Sequence, residues 1–348
     1  MGSLPRRHLR GLNTDVSVIG AGCWTIGGPA TNRGTPIGWD GVDPEAAFAA
    51  LVHAFERGVT LYDTADAYGF GHSERLLGRL LRLVPPQDLA ISSKVGYFAG
   101  TARHAYHRAQ MRAQLATTLD NLGTDHLDIY FLHSGDFGPS HRYLPDAVDL
   151  MRAWRSQGVF RAVGMRAPHR FAEEWAATHG PQAAETRRWL YLFDQIRPDV
   201  LTSRYNLLSP LYGDHETDIF RFARRNGVGV LLKQVLGQGL LLQAGCDPDQ
   251  QRYSADDHRS TDPAFTPDNR RQIHTRLAPL RDRYGHSSAD MARLCVQYAL
   301  HHAPDAAILT GFRNASQIDT VIASLDHPLG PDDITQIRAV LHAEPHTD

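Results

Sequence analysis

Asp63, Tyr68, Lys94 and His133 each close or follow a short apolar, strand-like segment. Asp63 ends the run 60–63, and Tyr68 comes soon after it beside Gly69. Lys94 ends the run 89–94, and His133 ends the run 127–133. In a chain where strands and helices alternate, such segment ends gather on one face, where barrel enzymes keep their active sites. These four residue types suit the delivery of a proton to a carbonyl oxygen while hydride arrives from elsewhere. No side chain supplies hydride, so a cofactor must. Singly, each has a more ordinary use: a turn or cap aspartate, a half-buried tyrosine, a solvated strand-end lysine, a satisfied rim histidine. Their fall at the ends of successive segments singles them out.

The 348 residues suffice for one large α/β domain or two average ones, and 42% of them are hydrophobic, enough for a sizeable core. A formal net charge of −2 gives no sign of a nucleic-acid or membrane-surface partner. The 19 histidines are scattered, with no HExxH and no Cys/His cluster, so no metal site is expected. Cys23, Cys246 and Cys295 lie far apart without a CxxC, which suits a reducing, cytoplasmic setting. The first residues lack the apolar stretch of a secretory signal. Gly2 has Arg6 where an acylation site needs Ser or Thr. No apolar run approaches the roughly 18 residues needed to span a membrane.

A turn signal at Gly11–Thr14 within 9–18 predicts an N-terminal hairpin. Strand-like and helix-like segments then alternate. Strands are expected at 18–24, 60–63, 89–94, 127–133, 161–165, 200–203, 229–232 and 306–309. Helices are expected at 44–57 with Asp43 as N-cap, 73–83 capped by Ser73, 107–122 stopped by Gly123, 145–157, from about Phe171, and 216–226. The polar stretch 237–269 reads as a long loop, and helices at 270–283, 289–302, 315–324 and 331–343 follow. Eight strands alternating with helices predict an α/β fold, a (β/α)8 TIM barrel with an N-terminal β-hairpin and C-terminal helices, residues 1–348 forming one domain. A doubly wound sheet is the competing reading, but Gly20-Ala21-Gly22-Cys23-Trp24 is not the GxGxxG that a dinucleotide fold carries after its first strand.

Local wording sharpens the picture. Val16-Ser17-Val18-Ile19-Gly20 is followed by YDTADAYG from Tyr62, Gly71-His72-Ser73-Glu74-Arg75-Leu76-Leu77-Gly78, SSKVG from Ser92 and LDIYFLH up to His133. Later come Arg161-Ala162-Val163-Gly164, Tyr205-Asn206-Leu207-Leu208, Gly237-Gln238-Gly239-Leu240-Leu241 and the stretch Leu309 to Gln317. In this order the words resemble the aldo-keto reductase family nearly end to end. The resemblance implies Tyr68 as general acid and Lys94 as the cation that lowers its pKa from a free value near about 10. It implies Asp63 as the group orienting Lys94 and His133 as a hydrogen-bond donor to the substrate oxygen. It also implies NADPH. Arg313 would grip the 2′-phosphate bidentately, with Gln317 near the adenine and Gly311 beside them. The glycine-rich segment with Leu236 and Gly239 would pass over the pyrophosphate. Trp24 would lie near the nicotinamide, with Asp63, Arg166, Thr202 and Lys233 around it.

The sequence also departs from the family pattern. Where the family continues with a small residue and Ser-Asn for the nicotinamide carboxamide, this chain has Met165-Arg166-Ala167. Thr202 replaces a glutamine, Lys233-Gln234-Val235-Leu236 replaces an aromatic followed by Ser-Pro-Leu, and Thr320-Val321 replaces Glu-Asn. Arg166 would take over the carboxamide oxygen; alternatively, Arg166 and Lys233 bind an anionic substrate, or the scaffold runs altered chemistry. Three functions stay open: reduction of an aldehyde, ketone or sugar carbonyl (or its reverse), a redox-neutral dehydratase- or epimerase-like reaction, and a cofactor-sensing regulatory subunit. The expected partner is a small carbonyl or sugar-like molecule, with no nucleic acid and no membrane.

Overall fold

The computed structural model describes residues 4–242 and 250–342. Gly2, Cys246, Ala343 and the part of the long loop at 243–249 lie outside them. The chain opens with an antiparallel hairpin, β1 (Arg6–Leu9) and β2 (Thr14–Ser17), as the turn signal predicts. β3 (Ile19–Gly22) follows, and then a second small hairpin of β4 (Thr31–Asn32) and β5 (Thr35–Pro36). Helices and strands then alternate: α1 (Pro44–Glu56), β6 (Leu61–Asp63), α2 (His72–Leu81), β7 (Ala90–Val95), α3 (Arg108–Leu122), β8 (Leu127–Leu132), α4 (Leu144–Ser156), β9 (Phe160–Arg166). The second half continues with α5 (Ala183–Ile196), β10 (Val200–Arg204), α6 (Ile219–Arg225), β11 (Gly229–Lys233), α7 (Pro267–Tyr284), α8 (Ser288–His302), β12 (Ala307–Gly311), α9 (Ala315–Ala323) and α10 (Pro331–His342).

Eight parallel strands close into a barrel in the order β3-β6-β7-β8-β9-β10-β11-β12, the (β/α)8 architecture expected. The helices lie where their local signals place them. The Asp43 carboxylate accepts from the Glu45 and Ala46 amides at 2.9 and 3.2 Å, capping α1 ahead of Pro44. Gly123 ends α3 in the left-handed conformation, at φ +66°.

Two expectations need correction. Ser73 does not cap α2; Gly71 does, at φ +85°, and Ser73 lies inside the helix with its hydroxyl donating to Cys23 O at 2.8 Å. No α-helix starts at Phe171. A short 3₁₀ turn spans Glu173–Ala177 and α5 begins only at Ala183, because Ala172 is drawn into a bridge with Asp218.

Two apolar clusters carry the fold. One fills the space between the barrel and its helices. The other fills the barrel itself with Leu61, Ala90, Ile129, Phe131, Ala162, Val200, Leu231, Ala307 and Leu309. Leu9, Leu12 and Val16 of the first hairpin join this inner cluster and plug the end from which the strands start. Arg161 fastens the plug, donating to Thr14 Oγ1 at 2.7 Å and Leu12 O at 3.2 Å while pairing with Asp128 at 2.8 Å.

Side chains alternate across a strand, so the inward residues of each strand share one parity. Continuing the inner apolar column by two from Leu61 gives Asp63. From Ala90 it reaches Ser92 and Lys94, and from Phe131 it gives His133. Ala162 leads to Arg166, Val200 to Thr202 and Arg204, Leu231 to Lys233, and Leu309 to Gly311. The phase that packs the barrel interior therefore also aims these residues at the mouth. Among the described residues no helix is long and apolar enough to cross a membrane.

Candidate active site

A cleft of about 630 Å³ opens at the strand C-terminal ends, lined by Asp63, Tyr68, Lys94 and His133. Trp24, Arg166, Thr202, Lys233, Leu236, Gly239, Gly311, Arg313 and Gln317 line the same cleft. Every site residue expected from the sequence thus meets in one place. Among the described residues no cluster of His, Cys, Asp or Glu fit to hold a metal ion occurs.

Asp63 and Lys94 form a buried ion pair with Nζ and Oδ1 2.6 Å apart. Ser92 donates to the other carboxylate oxygen at 2.6 Å, and Lys94 also donates to Thr64 O at 2.5 Å. These bonds leave the ammonium one fixed direction. It lies 4.8 Å from the centroid of the Tyr68 ring. Burial alone would lower the pKa of Lys94; Asp63 and Tyr68 outweigh it, and the value is raised.

Tyr68 sits in the loop after β6, where Gly69 at φ +61° turns the chain tightly against Gly27. A Cβ at Gly69 would stand 1.7 Å from Gly27 O, so only glycine fits. The family resemblance implies a lowered Tyr68 pKa beside Lys94, yet it is pushed up to about 12. Burial exceeds the opposing pull of the ammonium.

His133 lies against both rings, its centroid 4.9 Å from Tyr97 and 6.0 Å from Tyr68. Its pKa is well below the usual histidine value because of burial, and because Lys94, Lys233 and Arg166 oppose a further positive charge. The imidazole is therefore neutral, and a neutral ring can donate one hydrogen bond without competing for the proton held by Tyr68.

Trp24 follows β3 in a 3₁₀ turn at Cys23–Ile26, its indole donating to Ile37 O at 2.9 Å. From there an aromatic wall runs outward. The His258 ring lies tilted 4.4 Å from Trp24 and edge-on 4.6 Å from Trp39. Beyond it, the Arg313 guanidinium lies 5.2 Å from the Trp39 centroid, and that of Arg259 lies 4.4 Å from both Trp39 and Tyr253. Asp257 fixes Arg259 through two bonds of 2.8 Å. Arg313 is less committed: its backbone amide donates to Gln317 Oε1 at 2.7 Å, while its buried Nη2 has no hydrogen-bond partner. A buried, unpaired guanidinium nitrogen on a cleft wall fits an oxyanion ligand.

Arg259, His258 and Trp39 are site residues that the sequence did not single out one by one. The first two lie in the polar stretch read only as a long loop, which returns to the barrel mouth through His258 N, donating to Gly38 O at 2.9 Å. No motif or periodicity marks them; an Asp-x-Arg pair in a loop of that length is the one local hint.

The aldo/keto reductase family model matches residues 18–342. Among curated proteins, the chain is 26% identical over 336 residues to the aldo-keto reductase YhdN of Bacillus subtilis (strain 168), covering 94% of this chain and 90% of that protein. It is 25% identical over 349 residues to the NADH-specific methylglyoxal reductase of Escherichia coli (strain K12), covering 95% and 97%. Among solved structures, a glycerol dehydrogenase from Gluconobacter oxydans superposes with a TM-score of 0.71 at 23% identity, covering 98% of this chain and 97% of that one. An aldo/keto reductase from Klebsiella pneumoniae, solved in complex with NADP and acetate, gives 0.65 at 18% identity, covering 98% of each chain.

Proposed function

The chain belongs to the aldo/keto reductase family of oxidoreductases, and from that premise we propose that it reduces the carbonyl of a small aldehyde, ketone or sugar with NADPH, or runs the reverse oxidation. The observation that carries this reading is the Asp63–Lys94 pair held at 2.6 Å beside Tyr68 and His133, facing one cleft. NADPH, when bound, supplies hydride. The side chains do the rest. His133, neutral, donates a hydrogen bond to the substrate oxygen and fixes its position. Tyr68 gives its phenolic proton to that oxygen as negative charge gathers there. Lys94 then faces the phenolate and stabilises it, and Asp63 keeps the ammonium in place through the exchange.

The cofactor would lie along the wall from Arg313 to Arg166. Arg313, with its unpaired Nη2, and Arg259 would hold the 2′-phosphate, Gln317 the adenine, and the turn at Leu236 and Gly239 the pyrophosphate. Trp24 and Thr202 would lie beside the nicotinamide, with Arg166 and Lys233 at the end of the wall. The preference for NADPH rests on the two arginines, and a relative that is NADH-specific makes it worth testing directly.

Purified protein titrated with NADPH and with NADH, followed by quenching of tryptophan fluorescence, provides the test. NADPH is expected to bind at least tenfold more tightly, with the difference collapsing in Arg313→Ala. Equal affinities would remove the phosphate grip. Binding of neither cofactor would overturn the reductase reading and favour the redox-neutral one, in which Tyr68 and Lys94 serve as acid and base alone.

A further inference from the structure

The ends of β9, β10 and β11 concentrate positive charge that the reaction above leaves unbalanced. Arg166 closes β9, Arg204 closes β10 and Lys233 closes β11. In register, Thr202 stands beside Arg166, and Arg204 beside Lys233. All three have inward parity, and Arg166 and Lys233 line the cleft. Leu132 pairs with Met165, so the next residues, His133 and Arg166, are neighbours at the rim.

Among the described residues none of the three cations forms an ion pair with a carboxylate. Asp63 is committed to Lys94. The side-chain bond of Arg166 goes instead to Nε2 of His169, at 3.0 Å. A guanidinium only donates, so His169 must accept there as a neutral ring. Burial together with Arg204, Arg166 and Lys233 holds its pKa at about 4. Lys233 is likewise held well below its ordinary value by burial, then by Arg166 and Lys94, with Asp63 pulling the other way and Arg204 adding to the opposition. The arrangement is firmly built, for Trp189 Nε1 donates to the Arg166 carbonyl at 3.0 Å.

Unpaired cations gathered in a partly buried site are costly unless a lysine among them sheds its proton, the relief that the lowered value of Lys233 expresses, or an anion joins them and restores that charge. A nicotinamide carboxamide is neutral and cannot balance them. We propose that Arg166, Lys233 and Arg204 bind an oxyanion, a carboxylate or a phosphate, carried by the substrate itself, so that the enzyme acts on small carbonyl compounds bearing such a group. The carbonyl half of this inference rests on the reductase reading; the anion site does not. Arg166 offers a planar fork to two oxygens and Lys233 a point charge, and their place beside His133 puts the anion on the molecule whose carbonyl meets Tyr68.

Two measurements test it on the full chain. In the first, protein saturated with NADP⁺ (or alone, should no cofactor bind) is titrated by calorimetry with acetate and with inorganic phosphate. Saturation keeps the phosphate-binding arginines near Trp39 occupied. One anion is expected to bind, and at least tenfold more weakly in Arg166→Gln and Lys233→Met. Arg204→Gln, at an exposed position, gives a smaller loss without disturbing the interior, and decides the matter if the other two fail to fold. In the second, kcat/KM is compared for succinic semialdehyde against butanal and for glyceraldehyde 3-phosphate against glyceraldehyde. The anionic member of one pair is expected to lead at least tenfold, and which pair does so tells carboxylate from phosphate. The lead should shrink towards parity in Lys233→Met. Equal use of both members in the wild type overturns the inference and leaves the reductase reading standing. If no carbonyl is reduced, the reductase reading falls and the titration decides alone: binding lost in Arg166→Gln upholds the site, and no binding to the wild type overturns it.

Discussion

Tyr68 holds its proton unusually firmly, with a pKa pushed up to about 12 by burial against the pull of Lys94. An acid with a raised pKa stays protonated throughout the neutral range, which suits donation during reduction and works against the reverse oxidation, where the phenolate must act. Reductive kcat/KM is therefore expected to stay flat in this proton from pH 6 to 10, while oxidative kcat/KM climbs with pH over the same range. A reductive profile falling with a midpoint near neutrality would assign the proton to another group. Tyr68→Phe is expected to lower reductive kcat by about 10²–10⁴-fold, with cofactor quenching of tryptophan fluorescence unchanged. His133 does not interfere with this profile, because burial and three neighbouring cations keep its ring neutral.

The plug and the barrel meet at a point where there is no spare room. A Cβ on Gly229, at the start of β11, would stand 2.2 Å from the Arg10 carbonyl oxygen of the hairpin turn. Gly229→Ala should push the hairpin off the barrel floor and cost about 1–3 kcal/mol, as overpacking does; denaturant titration reads the loss, and unchanged stability would mean that the plug bears no load. The hairpin, the strands and most helices were legible in the sequence because each depends on local signals: the turn at Gly11, the Asp43-Pro44 start, the Gly123 stop. Ser73 misled because its hydroxyl, a common cap, is used inward on Cys23 and Thr64 instead, the latter at 2.8 Å. The four residues Asp63, Tyr68, Lys94 and His133 could be read from their segment ends. Arg259 and His258 could not, since what places them against Trp39 is the return path of a loop without periodicity. The unpaired state of Arg166, Arg204 and Lys233 was equally hidden, because it depends on which carboxylates are already committed elsewhere.

At the scale of the whole molecule the histidines act together. His72, His104, His133, His169, His258, His301 and His342 are all held below their ordinary value, with burial the largest cause in each. For such groups the unfolded chain binds more protons than the native one between the depressed values and about 6.5. Their contribution is thus complete above about 6.5 and is lost as pH falls. Asp66, buried with a raised pKa, acts in the opposite sense but is a single group. Calorimetry at pH 7.5 and 5.5 is expected to show a Tm several degrees lower at the acid value. An unchanged or higher Tm at pH 5.5 would mean that the histidines take up protons without leaving the fold.

The shared parity of the barrel interior and its rim also bears on how such a chain can diverge. Exchange of one codon at the last inward position of a strand replaces a functional group and leaves the apolar column below it intact. Loss of one codon further back would turn column and rim outward together. Inheritance therefore tolerates novelty at the strand tips and forbids it along their length. Arg166, Arg204 and Lys233 all stand at such tips.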